Sequence, residues 1–115
     1  MIDFACKQFM LKDVIKCSLG LTKADFKLME YLANNSERSF MTEELAKNLD
    51  LNLTTVQRAV KRLHEKNILK RIQKNLELGG YVYIYQIKDK TEIRDLIMSI
   101  VNGWSKRVSD ELSKL

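Results

Sequence analysis

Residues 42–63, TEELAKNLDLNLTTVQRAVKRL, decide the fold because they hold two short helical patterns separated by a tight turn without glycine. The first pattern is apolar on one side only and begins at Thr42, whose hydroxyl is predicted to cap the helix. Asp50 and Leu51 form the predicted turn, and Asn52 is predicted to cap the second helix. Two helices joined in this way predict a helix-turn-helix.

The second helical pattern has two faces of different chemistry. Four aliphatic residues recur at helical spacing and are predicted to face the core: Val56, Ala59, Val60 and Leu63. Arginine can donate two hydrogen bonds to guanine, glutamine can bind adenine, and threonine can offer a methyl or a hydroxyl group. We therefore predict that residues 53–66 form a recognition helix for the major groove of double-stranded DNA. The candidates for base-edge contacts are Thr54, Thr55, Gln57 and Arg58.

Basic residues are concentrated in residues 53–74. Seven basic residues stand there against Glu65 alone, a net charge of +6, whereas the whole chain carries +5 and its remaining residues therefore sum to −1. A positive field confined to one helix and the following strand is typical of a surface that binds phosphates. A solvated helix face without a partner is the alternative. The candidates for phosphate contacts are Lys61, Arg62, Arg71 and Lys74.

A wing is predicted directly after the recognition helix. Asn67 stands where a glycine often ends a helix, and asparagine tolerates the left-handed conformation required there. Residues 68–74 and the stretch YVYIYQI (81–87) are predicted strands, separated by a loop with two glycines. Residues 68–87 therefore predict a wing that reaches the DNA backbone or the minor groove. The wing residues predicted near its tip are Arg71, Lys74 and Asn75.

Three tyrosines alternate with aliphatic residues in the second wing strand, at Tyr81, Tyr83 and Tyr85. We interpret them as an aromatic face packed on the core or on a dimer helix. A stacking platform for single-stranded nucleic acid is the alternative.

Apolar stripes run along both ends of the chain. Residues 3–17 are predicted to form a helix capped by Asp3, and residues 89–115 a longer one with a candidate kink at Gly103. A helix of more than about 20 residues is over about 30 Å long, which exceeds what a small core can cover. The surplus stripe predicts a two-fold dimer, and a tail folded back on its own subunit is the alternative. The predicted dimer contacts are Met10, Val14, Ile97, Val101, Trp104, Val108 and Leu112.

These elements predict a mainly α fold with a small antiparallel β wing, a winged helix-turn-helix with N- and C-terminal dimerisation helices. A single domain is expected, with an N-terminal helix (1–20), a winged-helix core (21–88) and a C-terminal dimerisation helix (89–115). No apolar run approaches the roughly 20 residues of a membrane span. The opening MIDFACKQFM lacks the regions of a signal peptide, so a cytoplasmic protein without a membrane partner is expected.

No pattern in the sequence supports catalysis or a cofactor. There is no pairing of a nucleophile with a base, no glycine-rich phosphate loop and no acidic metal cluster, so we expect no enzyme. His64 is interpreted as a residue of the helix–strand junction or a phosphate contact, with a metal site as the alternative. Cys6 and Cys17 are interpreted as small buried residues of one helix, with an intersubunit disulfide that acts as a thiol switch as the alternative.

The order of these elements resembles the MarR/TrmB-type winged-helix transcription regulators, especially the short archaeal members. The stretches that carry the resemblance are LTKADFKLMEYL, EELAKNLDLNLTTVQRAVKRLHEKNILKR and LELGGYVYIYQI, followed by Trp104. The resemblance implies a homodimer on a pseudo-palindromic operator, with the helix from Leu53 in the major groove. Nothing follows Leu115, so the sugar sensing of TrmB-type regulators with a C-terminal sugar-binding domain is not implied. Asn67 replaces the usual glycine of the family.

Two other functions remain open from the sequence. The same fold serves as a protein-interaction module in some transcription or assembly complexes, where the recognition helix faces a protein. A repressor that responds to thiol oxidation or to an unidentified small-molecule effector is the other alternative. The sequence offers no polar constellation that identifies such a ligand.

Overall fold

The computed structural model describes residues 1–115 as five helices and four strands. The helices are α1 Leu11–Leu19, α2 Lys23–Asn34, α3 Thr42–Leu49, α4 Leu53–Glu65 and α5 Lys90–Ser113. The strands are β1 Ile2–Asp3, β2 Gln8–Phe9, β3 Leu69–Asn75 and β4 Tyr81–Ile87. The chain forms two compact units, of which one comprises Thr22–Asp89 and the other comprises Met1–Leu21 with Lys90–Leu115. Mainly helical structure with one antiparallel wing confirms the predicted fold class.

The unit formed by residues 22–89 is a winged helix-turn-helix. Helix α4 packs against α2 and α3, and β3 follows it directly. The four aliphatic residues predicted on the inner face of α4 are all buried, as expected from the helical period. The largest other apolar side chains that are fully buried are Leu28, Leu32, Phe40, Leu45, Ile68 and Leu69.

The turn between α3 and α4 is built by polar side chains and a left-handed residue. Asp50 has φ 51°, and the next residue, Leu51, donates its N–H to the Ala46 carbonyl at 2.9 Å, which closes α3. The Asn52 side chain accepts a hydrogen bond from the Thr54 N–H at 2.8 Å, so the predicted cap of α4 is confirmed.

The predicted cap at Thr42 is wrong, because Thr42 is already the first helical residue of α3. The preceding residue, Met41, has extended backbone, and its N–H donates to the Glu44 carboxylate at 3.1 Å. The Glu44 carboxylate in the first turn therefore caps α3, where the sequence predicted the Thr42 hydroxyl as the cap.

Helix α4 ends as predicted at Asn67, which has φ 65°. The Ile68 N–H donates to the Leu63 carbonyl at 3.0 Å, and the Asn67 N–H donates to the His64 backbone carbonyl at 3.0 Å. This pair of bonds is a Schellman motif with asparagine in the place of glycine. It sets the direction in which the wing leaves the recognition helix.

The wing is an antiparallel hairpin of β3 and β4 whose register runs from Leu69 opposite Ile87 to Asn75 opposite Tyr81. The tip turns at two glycines with positive φ, at 97° and 78°. Phe40 and Tyr85 exchange two backbone hydrogen bonds of 2.8 Å, so a single antiparallel bridge ties the segment before α3 to β4.

Of the three wing tyrosines, Tyr85 alone packs on the core of the chain. Tyr85 is 9% exposed, whereas Tyr83 is 36% and Tyr81 is 54% exposed. The hairpin extends past the core after the first residue pairs, so the outer two rings reach solvent although they share a strand face with Tyr85.

The helix predicted at residues 3–17 is wrong in its first half. Residues 2–9 form a hairpin of β1 and β2, and α1 begins only at Leu11. The rings of Phe4 and Phe9 pack edge to face at 5.6 Å in this hairpin. On a helix the two rings would lie about 140° apart, since each residue turns by about 100°, and they could not meet. Helix α1 ends at Gly20, which has φ 65°.

The interpretation of the two cysteines as small buried residues of one helix is wrong. Cys6 lies in the turn between β1 and β2 rather than on a helix with Cys17. Both thiols are free and exposed, so the interpretation as small buried residues is wrong.

Helix α5 runs through Gly103 without an interruption. Ile93 is buried and Ile97 and Val101 are half-buried, but every residue from Trp104 onward is exposed. None of the five helices combines the length and the apolar character that would let it cross a membrane.

Candidate nucleic-acid interface

The outer face of α4 presents the polar residues that the sequence selected for base contacts. Thr54, Gln57 and Arg58 are exposed, and Thr55 is half-buried on the flank. Lys61 continues the same exposed face one turn further along the helix. Because the four aliphatic residues of α4 are held in the core, the helix cannot turn this face away from solvent. The structure therefore places together the proposed base-reading residues and one of the proposed phosphate contacts.

Arg62 has a different partner from the one predicted. Its Nε lies 3.0 Å from both carboxylate oxygens of Asp25, and its Nη2 lies 2.7 Å from Oδ1. Asp25 is completely buried, whereas the Arg62 side chain is 38% exposed. The guanidinium is thus committed to holding α4 on α2. Arg62 is therefore a structural residue of the α2–α4 contact rather than a candidate phosphate contact.

Asp25 joins two structural roles in one carboxylate. It completes the capping box of α2, in which Thr22 and Asp25 exchange two hydrogen bonds of 3.1 Å. Burial alone would raise the pKa of the Asp25 carboxyl, but the hydrogen bonds from Arg62 and from the Thr22 backbone outweigh burial and lower this pKa below its ordinary value. The carboxylate is therefore ionised at neutral pH and fully hydrogen-bonded. The spacing of Thr22 and Asp25 in the sequence is that of a capping box, but no sequence pattern points to the ion pair.

The wing residues predicted to contact DNA are all exposed. Arg71 and Asn75 lie on the strand face that begins at the buried Leu69, and Lys74 lies on the opposite face. The two faces of the hairpin therefore both carry positive charge.

A cleft of about 250 Å³ separates the recognition helix from the wing. Gln57 lines it from α4, Tyr83 from β4, and Thr42 with Glu43 from the start of α3. Its remaining walls are Met41, Val60, Val82 and Tyr85. The polar face of the helix and the tyrosine face of the wing thus open onto the same space, and Glu43 is the acidic residue of this cleft.

One contact of the wing was missed by the sequence reasoning. The guanidinium carbon of Arg71 lies 4.4 Å from the centre of the Tyr83 ring, and the Tyr81 and Tyr83 rings are 5.3 Å apart. The alternation of residues within each predicted strand was the available signal. The missing information was the register between the strands.

The residues predicted for the dimer divide into two groups. Val14, Ile97 and Val101 are half-buried, whereas Met10, Trp104, Val108 and Leu112 are exposed. On the last three turns of α5, a shallow apolar depression of about 540 Å³ is lined by Trp104, Arg107, Val108, Glu111, Leu112 and Leu115. The C-terminal part of α5 therefore carries an exposed apolar surface.

The histidine and the candidate metal ligands considered from the sequence form no further site. His64 is half-buried near the end of α4. Across all 115 residues, no three side chains of the histidine, cysteine, aspartate or glutamate type are grouped so as to hold a metal ion.

Solved structures with the same architecture include proteins connected with transcription. A possible transcriptional regulator from Methanosarcina mazei Go1 is 54% identical, with a TM-score of 0.93 over 99% of this chain and 95% of that chain. An S. aureus MepR variant bound to an oligodeoxyribonucleotide is 16% identical, with a TM-score of 0.57 over 90% of this chain and 72% of that chain. A regulator assigned to the MarR family from Enterococcus faecalis is also 16% identical, with a TM-score of 0.55 over 90% and 89% of the two chains.

The two matches at 16% identity show the fold that this chain shares with those regulators, which confirms the resemblance to MarR-type proteins at the level of the fold. Residues 8–108 match the model of the DnaD N-terminal domain, a match that is not specific to MarR-type proteins. The chain therefore belongs to the DnaD N-terminal domain family.

Proposed function

We propose that this protein is a cytoplasmic, sequence-specific transcriptional regulator that binds double-stranded DNA as a homodimer on a pseudo-palindromic operator. Residues 53–66 enter the major groove, where Thr54, Thr55, Gln57 and Arg58 contact base edges. The wing, residues 68–87, lies on the backbone or the minor groove. The observation that carries the proposal is the exposed face of α4, on which these polar side chains and Lys61 stand together.

The charges of this surface favour DNA over a protein partner. Arg58, Lys61 and Lys74 are exposed and form no ion pair within the chain. Like charges at such spacing repel one another unless an anionic partner neutralises them. A DNA backbone supplies that partner over the whole length of the surface. The oligonucleotide bound to the MepR variant of the same fold is consistent with this use of the helix.

The proposed dimer rests on the exposed stripe of α5. Trp104 and Leu112 are 53% and 62% exposed, and Val108 lies between them on the same side of the helix. Clustered large apolar side chains on a surface mark an interaction site, because removing their apolar area from water lowers the free energy. A second copy supplies the same stripe by two-fold symmetry, which would place two recognition helices at matched positions on a duplex.

Replacing Val108 by aspartate tests the dimer. An unpaired carboxylate at the centre of the stripe would be buried in the dimer. The free-energy cost of desolvating this charge exceeds the free energy gained from the apolar contact, so the variant should be a monomer at micromolar concentration. Sedimentation equilibrium gives the mass directly. Ser99→Asp is the matched control, since it adds the same charge on the opposite, exposed side of α5. If Val108→Asp sedimented as a dimer like the control, the stripe would not be the dimer contact.

Selection of bound fragments from genomic DNA tests the function. The expected result is an enriched inverted repeat whose half-sites lie about one helical turn, roughly 34 Å, or a multiple of it apart. A protein-interaction module with this fold would enrich no duplex sequence. Enrichment of a single motif without an inverted repeat would support DNA binding but contradict the proposed dimer.

A further inference from the structure

Two exposed aromatic rings on the wing have no role in the function proposed above. Tyr81 and Tyr83 are 54% and 36% exposed, although they continue the strand face of the buried Tyr85. Tyrosines left on a protruding hairpin are typical of a recognition surface, since a ring with a polar tip can contact a partner at low cost in conformational entropy.

The register of the hairpin brings a cation onto the same face. Arg71 lies directly opposite Tyr85, and the neighbouring pair on this face is Gln73 opposite Tyr83. Arg71 therefore reaches Tyr83 along the diagonal, which a long side chain can span. Its guanidinium carbon lies 4.4 Å from the ring centre, within the range of a cation–π contact.

Tyr81 supports this ring from the side of the wing tip. The two tyrosine rings are 5.3 Å apart and inclined by 63°, an edge-to-face arrangement. Hydrogen bonding with Tyr83 raises the pKa of the Tyr81 phenol above its ordinary value. Tyr81 is therefore neutral at physiological pH and brings no negative charge close to the arginine.

The stacked arginine keeps its binding capacity. A guanidinium that lies over a ring contacts the ring with its flat face. Its N–H donors point outward from its edge and can bind a phosphate with two parallel hydrogen bonds. The ring also restricts the rotamers of the long side chain before any partner arrives, which reduces the entropy lost on binding. Tyr83 lines the cleft opposite Gln57, so this arginine is held on the side of the wing that faces the recognition helix.

We propose that Tyr83 is a positioning residue of the DNA-binding surface, which holds the Arg71 guanidinium so that its free edge binds a backbone phosphate of the duplex contacted by α4. The inference rests on the function proposed above and deepens it. Single-stranded nucleic acid is the competing ligand, because exposed tyrosines can stack on unpaired bases. Arg71 already occupies one face of the Tyr83 ring, which an unpaired base would otherwise use for stacking.

A double-mutant cycle on the selected operator tests this coupling. The variants are Tyr83→Leu, Arg71→Ala and the double variant, with Tyr83→Phe as the control that keeps the ring. Tyr83→Leu should weaken duplex binding about two- to fivefold, the effect of an exposed cation–π contact. The same substitution should have no further effect in the Arg71→Ala background. Tyr83→Phe should bind like the wild type.

Arg71→Lys gives the same test without altering Tyr83, since lysine keeps the charge and loses the planar stack. It should lose as much affinity as Tyr83→Leu, with an unchanged unfolding temperature. Additive effects of Tyr83→Leu and Arg71→Ala would overturn the proposal, and so would a greater loss on a single-stranded oligonucleotide than on the duplex. Failure of the wild type to bind any duplex would instead overturn the proposed function, so the two failures are distinguishable.

Discussion

Raising the salt concentration from 50 to 200 mM is expected to weaken binding of the operator duplex by about 10³-fold. Lys61, Arg71 and Lys74 are the proposed phosphate contacts of each protomer, so a dimer neutralises about six phosphates. Each neutralised phosphate releases condensed counterions, and the logarithm of the affinity should then fall with the logarithm of the salt concentration with a slope of about −5. Fluorescence anisotropy of a labelled duplex at four or five salt concentrations measures this slope.

Lys74→Ala should make this slope shallower by about 2 for the dimer and weaken all duplex sequences equally, because the residue contacts the backbone and not the bases. The matched control is Lys106→Ala, which removes the same charge from an exposed position on α5. A slope near zero for the wild type would contradict the account and favour the protein-interaction module. Equal slopes for Lys74→Ala and the wild type would place the wing away from the backbone.

Arg62→Met is expected to lower the free energy of unfolding by about 3 kcal/mol, the lower end of the range for breaking a buried ion pair. The substitution leaves the Asp25 carboxylate buried without its cation, while methionine retains most of the aliphatic volume. The lower end applies because the Arg62 side chain is 38% exposed, and water can reach the vacated site. Urea unfolding measures the change, with Arg58→Met as a control on the exposed face of the same helix, where about 0.5 kcal/mol or less is expected.

The pH dependence identifies the charge as the cause. The folded pKa of Asp25 lies below its ordinary value of 3.8, so the ion pair contributes its full stability above that value and loses it as the pH falls through the folded pKa. The difference in unfolding free energy between the wild type and Arg62→Met should therefore be largest near neutral pH and should narrow below about pH 4. A difference that stays constant down to pH 3 would mean that packing, and not the charge, holds α4 on α2.

Features set by local chemistry were predictable from the sequence. The two faces of α4 follow from the helical period, and its ends follow from Asn52 and Asn67, whose side chains suit a cap and a left-handed turn. The wing strands followed from β-forming residues on either side of two glycines. Each of these elements is determined by residues within a few positions of one another.

Features set by contacts between distant residues were not predictable. Asp25 and Arg62 are 37 positions apart, and only the packing of α2 on α4 shows that the arginine faces inward. The N-terminal hairpin replaced a helix because Phe4 and Phe9 gain a contact that the helical pattern did not consider. The exposure of Tyr81 depends on how far the hairpin extends past the core, which strand propensity does not reveal.

The affinity of Arg58→Ala for the selected operator tests the central claim most directly, namely that α4 reads bases in the major groove. Arg58 is exposed on the outer face of α4 and makes no ion pair, so its removal should leave the fold intact. The account predicts a loss of about 1–3 kcal/mol in binding, together with relaxed preference at one base pair of each half-site. Unchanged affinity and unchanged sequence preference would show that this helix does not read the DNA.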